Sequence, residues 1–184
     1  MNGSLFLFPK NLADSCDPDS LEQSLRSLGI IDSMLSSTEN ARIFLAGNNF
    51  PRHVVYAGCS PHLKFEPEGD DDHAFCHAAI HGPFEQAQLQ TGQNTVKPRC
   101  PHCRARLSDW QERIEKEALP CPSCEKKLAP IALDWRQHAA CGRIFIELRN
   151  VFPGEAAPSD QLLASLKQVS GFEWRYAWAG MKLE

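Results

Sequence analysis

Two short turns, Cys100-Pro101-His102-Cys103 and Cys121-Pro122-Ser123-Cys124, stand seventeen residues apart and constrain this chain more than anything else in it. Two cysteines three positions apart in a tight turn direct both sulfurs at one point, and two such turns complete the tetrahedron that zinc accepts. The spacing lies within the range of zinc sites. Cys100, Cys103, Cys121 and Cys124 are therefore the expected ligands of one structural zinc ion, held as four thiolates. The chain has eight cysteines, half of them in these turns. A secreted disulfide scaffold would also be rich in cysteine. Here, however, the only early apolar run, Leu5 to Phe8, is too short for an export signal or a membrane span and stops at Pro9. The sequence reads as a cytoplasmic protein with no membrane association.

The segment from about Arg99 to Lys127 resembles a zinc ribbon, whose members share the Cys-Pro-x-Cys turn. Two departures stand out. Glycine often follows the second cysteine of such a turn, whereas here Arg104 and Glu125 do. The connecting segment also carries a helical signal in place of a plain hairpin. The resemblance implies a nucleic-acid binder, a protein adaptor or a pure staple, without choosing among them. Taken whole, the chain resembles short bacterial proteins, and that resemblance implies no function.

Cys-Pro-His-Cys is also the active-site sequence of oxidising thiol-disulfide oxidoreductases of the thioredoxin fold. In those enzymes the first cysteine opens a helix after a core strand, and the helix dipole lowers its pKa. Residues Gln93 to Arg99 are polar apart from Val96 and include Pro98, and the next helical signal waits until Ser108. Redox chemistry leaves the second pair unexplained, whereas zinc requires it. Iron in a rubredoxin-like centre is the remaining alternative.

The fold class expected is α+β: a mixed or antiparallel sheet, two amphipathic helices and an inserted four-cysteine zinc module. Ser4 to Phe8 reads as a strand. Asp17 before Pro18 reads as a helix cap, with Leu21, Leu25 and Leu28 at helical spacing and Gly29 as the stop. Ala41 to Ala46, His53 to Ala57 and His62 to Phe65 read as strands. His73 to His81 is strand or helix, with strand preferred. Ser108 and Gln111 form a capping box for a short helix with Leu107, Trp110, Ile114 and Ala118 on one side and a Glu112 to Lys116 pair. Ile144 to Leu148 is a strand, and Ser159 caps a helix containing Leu162, Leu163, Leu166 and Val169. A last strand puts Phe172, Trp174, Tyr176 and Trp178 on one face. The two helices resemble each other, which admits a doubled strand-helix unit as in ferredoxin-like folds. The division expected is residues 1–95 and 131–184 as the two parts of the α+β domain, with 96–130 as the zinc-binding module between them.

Cys59, His62, His73, Cys76, His77 and His81 form the other chemical constellation, a candidate second metal site or a cysteine nucleophile with a histidine base. On a strand, His73, His77 and His81 share a face at intervals of about 13 Å, too far apart to share an ion, and Cys76 faces the other way with Ala74, Ala78 and Ile80. Packing cysteines are the expectation for Cys59 and Cys76. The aromatic row reads as one side of a core in preference to a base-stacking platform, and Asp70 to Asp72 as a solvated turn.

Eight basic and five acidic residues between Thr95 and Leu128 give that segment a formal +3 and the rest of the chain −7, for −4 overall. Four thiolates around a divalent ion carry 2−, which offsets most of the segment's excess. Nucleic-acid binding is accordingly expected to be weak. The functional expectation is a noncatalytic zinc-binding adaptor whose helix-bearing loop, centred on Trp110, meets a protein partner. Nucleic-acid binding and an enzyme using the Cys59 to His81 region are the alternatives.

Overall fold

A computed structural model describes residues 3–58, 62–69, 74–92, 95–114, 118–152 and 154–180. In chain order the strands are β1 (Gly3–Pro9), β2 (Ile31–Ser37), β3 (Ala41–Ala46), β4 (Val54–Tyr56), β5 (His77–His81) and β6 (Gln88–Gln90). They continue with β7 (Leu119–Pro120), β8 (Lys127–Leu128), β9 (Ala140–Gly142), β10 (Phe145–Val151), β11 (Ala156–Pro158) and β12 (Trp174–Gly180). The helices are α1 (Pro18–Ser27), α2 (Phe50–His53), α3 (Trp110–Ile114) and α4 (Asp160–Ser170).

The local signals act as their chemistry requires. Asp17 Oδ2 accepts the Ser20 N–H at 2.9 Å and Pro18 opens α1, so the first turn loses no hydrogen bond to proline. Gly29, at φ +70°, closes α1 by donating its N–H to the Arg26 carbonyl. Ser159 Oγ accepts from Leu162 N at the start of α4, and Gly171 ends it at φ +80°. Leu21, Leu25, Leu162 and Leu166 are wholly buried.

The main sheet has the order β12-β1-β10-β5-β3-β2, and each hydrogen-bonded pair in it is antiparallel. The fold is α+β. Helices α1 and α4 cover one face, meeting Leu5, Leu7, Phe44, Ile80, Ile146 and Leu148 in a single core. The aromatic row joins this core from the sheet edge, with Phe172 preceding β12, which begins only at Trp174. Trp174 is buried, and Phe172, Tyr176 and Trp178 are half-buried against it. Alternation sends Phe6, Phe8, Phe145, Ala177 and Ala179 to the opposite face, where Ala140 of β9 and Phe84 cover them. The next residue of β9, Cys141, turns the other way into the apolar cluster around the metal-site cysteines. One short strand thus joins the cysteine-bearing segment to the sheet.

Helices α1 and α4 are each a crossover between two strands of the main sheet, β1 to β2 and β10 to β12. β1 and β10, the strands that begin these units, are direct neighbours and run antiparallel. One strand lies outside those expected, and two expectations are corrected. Ile31–Ser37 is an edge strand with no apolar alternation, exposed beyond Ile31, and only pairing with β3 reveals it. His53 belongs to the short helix α2, so the following strand begins at Val54. Residues 62–65 are not a strand; Leu63 and Phe65 pack on the core from a loop, with Phe65 edge-on to Phe50 at 5.9 Å between ring centroids.

Candidate metal centre

The two cysteine turns are the same structure built twice. Cys100 N donates to Ala105 O and Arg104 N to Cys100 O; Cys121 N donates to Lys126 O and Glu125 N to Cys121 O, each at 2.9 Å. Arg104 at φ +62° and Glu125 at φ +60° both occupy the left-handed region that closes the turn. An L-residue there costs on the order of 1 kcal/mol that glycine would not. Short strand pairing extends each turn: Arg99 bridges Arg106, and Pro120 pairs with Lys127.

The turns face each other and bring Cys100, Cys103, Cys121 and Cys124 together, with all four sulfurs within 4.8 Å of one another. Between the turns, Cys100 Sγ stands 3.8 Å from Cys124 Sγ and Cys103 Sγ 3.6 Å from Cys121 Sγ. A tetrahedron with metal–sulfur bonds of about 2.3 Å has edges of about 3.8 Å, so the set has the size a zinc ion needs. Cys100 and Cys121 are buried, whereas Cys103 is exposed.

Backbone dipoles prepare the first sulfur of each turn. The N–H groups of Cys103 and His102 point at Cys100 and hold its thiol down at about 6; those of Ser123 and Cys124 lower Cys121 in the same way. At Cys103 the Ala105 N–H also favours the thiolate. Desolvation and the three neighbouring sulfurs outweigh it and push Cys103 up to about 12. Four sulfurs at this separation can all be thiolates only with a cation among them, and the set could hold a metal ion that supplies that charge.

No protein-family model matches this chain, and no curated protein or solved structure matches it either. What the site does must therefore come from its own geometry. Cys100 and Cys121 are in one apolar cluster with Leu107, Trp110, Leu128, Leu133, Trp135, Ala139 and Cys141, with Leu12 and Leu89 packed at its margin. Trp110 and Trp135 meet edge to face at 5.6 Å, and Trp135 Nε1 donates to Pro130 O at 2.9 Å. This corrects the expectation that Trp110 is a presented surface residue, since only 7% of it is exposed. The helical stripe is corrected too: Leu107 is buried but Ile114 is 39% exposed. Arg113 takes the buried position that Ile114 was expected to fill. Its side chain is 4% exposed, with Nη2 on Asp109 Oδ2 at 2.8 Å and on Pro120 O at 3.0 Å. Asp109, just before α3, forms an i,i+4 ion pair with Arg113; Lys116 lies outside the described residues.

The second constellation does not assemble among the described residues. Cys59 and His73, like Asp70 to Asp72, lie outside them. His62 is exposed in a loop. Cys76 is 1% exposed in the main core, its Sγ donating to Asn150 O at 3.3 Å, and burial pushes its thiol up to about 12. His77 and His81 share the opposite face of β5, separated by Ala79. His77 Nδ1 contacts Phe75 O at 2.9 Å. Cys16 and Cys141 are raised to about 11 and about 12, in each case mainly by burial.

Sequence reading missed what His81 does. Its Nε2 donates to Glu147 Oε2 at 2.7 Å, Arg149 Nε donates to the same oxygen at 2.9 Å, and Ser4 Oγ donates to Oε1 at 2.6 Å. Three strands thus converge on one carboxylate that is 8% exposed. The signal was present in β10, where Glu147 alternates onto the same face as Phe145. A face buried at Phe145 obliges its glutamate to find donors.

Proposed function

We propose that this protein is a cytoplasmic, noncatalytic zinc-binding protein of the adaptor kind. Residues 96–130 are its zinc-binding module, inserted between the 1–95 and 131–184 parts of the α+β domain, and one zinc ion fixes the surface that meets a protein partner. The observation carrying this reading is the closed ligand set. Four cysteine sulfurs fill the tetrahedron, leaving no coordination position for a substrate or an activated water, which is the arrangement of a structural site. Two of the ligands are also the apolar centre of the module's own core. Zinc binding at such a site contributes roughly 10 kcal/mol or more to folding.

The surface that zinc organises excludes Trp110 and includes Ile114, Val96 and the exposed tips of both turns. The tips supply the observation behind a second reading. Arg104, Arg106, Lys126 and Lys127 are all exposed, and Lys126 Nζ reaches His102 Nδ1 across the two turns at 3.5 Å. Such cations suit phosphate. The buried Trp110 and Trp135 offer bases no stacking platform, and a chain of net charge −4 steers polyanions poorly.

Elemental analysis of purified protein tests the first reading, with one zinc per chain expected and zinc lost in Cys121→Ser. Full retention in both Cys100→Ser and Cys121→Ser removes the assignment. Zinc-loaded protein and Cys121→Ser are then compared as baits in cell extract, and a protein retained by the first alone is the expected result. Submicromolar binding of DNA or RNA at physiological salt, weakened by changing Arg104 and Arg106 to Ala, establishes the second reading in its place.

A further inference from the structure

Arg113 is the buried cation of the module. Among its described residues, each lysine and every other arginine is at least partly exposed to water, but the Arg113 side chain is 4% exposed. Its partners satisfy one nitrogen only. Nη2 serves both Asp109 and Pro120, whereas Nε and Nη1 are buried without a hydrogen-bond partner among the described residues. A buried guanidinium with two unpaired nitrogens is destabilising unless something nearby compensates its charge. Asp109 is a weak compensator, since its side chain is 41% exposed and water screens it.

The position of Arg113 identifies the compensating charge. Pro120, whose carbonyl it holds at 3.0 Å, is bonded directly to Cys121. From that carbonyl oxygen to the Cys121 sulfur the covalent path reaches at most about 6 Å, so Nη2 lies within about 9 Å of the sulfur. Leu107, Trp110 and Leu128 are buried in the same cluster as that sulfur, and the Arg113 side chain is itself 4% exposed, so both groups lie in surroundings poor in water. A charge acts further through such a medium than across an exposed surface.

We propose that Arg113 is the buried counter-charge of a zinc–tetrathiolate centre, a positioning residue that raises zinc affinity without touching the metal. The proposal rests on the zinc reading above. Zinc with four thiolates carries 2−, and the nearby guanidinium offsets part of it while the hydrogen bond to Pro120 O holds the second turn in place. Exposed cations at the tips act through water and contribute less per charge.

Zinc affinity measured by competition with a chromophoric chelator tests this, in wild type, Arg113→Lys, Arg113→Gln, Arg113→Met and Asp109→Asn. Cobalt-substituted spectra check that four thiolates still bind in each. The lysine variant keeps the charge and is expected to bind within a few-fold of wild type. The glutamine variant keeps a donor for Pro120 O but no charge, and it is expected to weaken binding about 10- to 100-fold, as is the methionine variant. Asp109→Asn removes the competing anion and is expected to leave affinity unchanged or tighter. Glutamine matching lysine reduces Arg113 to a hydrogen-bond anchor and overturns the proposal. Methionine matching wild type, or Asp109→Asn losing as much as methionine, overturns it as well. Wild-type protein that binds no zinc removes the centre itself, an outcome distinct from these.

Discussion

Replacing Glu147 with Gln tests whether the carboxylate between β1, β5 and β10 holds the sheet together. Burial by itself would raise this carboxyl. The hydrogen bond from His81, the charge of Arg149 and the hydroxyl of Ser4 overcome that and hold it at about 2, against an ordinary 4.5. At about 1.4 kcal/mol for each tenfold change in acidity, the difference corresponds to about 3 kcal/mol favouring the folded, ionised form. The folded carboxyl is more acidic than the unfolded one, so this contribution is complete above about pH 5 and is lost as the pH falls towards 2. Glu147→Gln should therefore unfold about 3 kcal/mol more easily at neutral pH, which lowers Tm by about 6 to 12 °C in a chain of this length. Acid also protonates the metal-site thiols and so releases any metal they hold. That affects both proteins alike, so the measurement is the difference between wild type and variant in urea unfolding at a series of pH values. The difference should shrink steadily from about pH 5 to about pH 3. A loss below about 1 kcal/mol at neutral pH, or one that stays constant into acid, would refute the argument.

Phe44 is wholly buried between the helices and the sheet, and Phe44→Ala should cost about 3 to 5 kcal/mol in denaturant unfolding. Gly47→Ala should cost as much or more without creating a cavity, because its Cβ would stand 2.3 Å from the Gly29 carbonyl oxygen where α1 hands over to β2; a stability change under about 1 kcal/mol would show that this junction yields. Cys76 in zinc-loaded protein should resist a mild thiol reagent until unfolding, as its thiol is pushed up to about 12; modification faster than free cysteine at neutral pH would restore the enzyme reading.

Short-range chemistry was legible in the sequence because it needs only neighbours. The four cysteines converge as their spacing implies, since a Cys-x-x-Cys turn carries its own geometry. Asp17, Gly29 and Ser159 cap or stop their helices, and the stripes of α1 and α4 face the core except at Val169, which is 38% exposed. Cys76 turns inward, as alternation along His77–His81 requires, and the β12 aromatics pack on the core.

What the sequence left undetermined depends on residues distant along the chain. β2 has no apolar alternation, being an edge strand exposed beyond Ile31, so only its pairing with β3 defines it. Trp110 and Ile114 both fit one helical stripe. Contact with Trp135, twenty-five residues away, buries the first and leaves the second in water. Glu147 and Ser4 are separated by 143 residues, and the antiparallel pairing of β10 with both β1 and β5 adds Ser4 and His81 to Arg149 as donors to a surface-type glutamate. Arg113 is one of the eight basic residues between Thr95 and Leu128, and nothing in the sequence sets it apart from the others. From helix α3 it reaches the carbonyl of Pro120 in β7, and no local pattern records that meeting. Turn and helix chemistry is carried by adjacent residues, whereas burial of a charge depends on which distant surface closes over it.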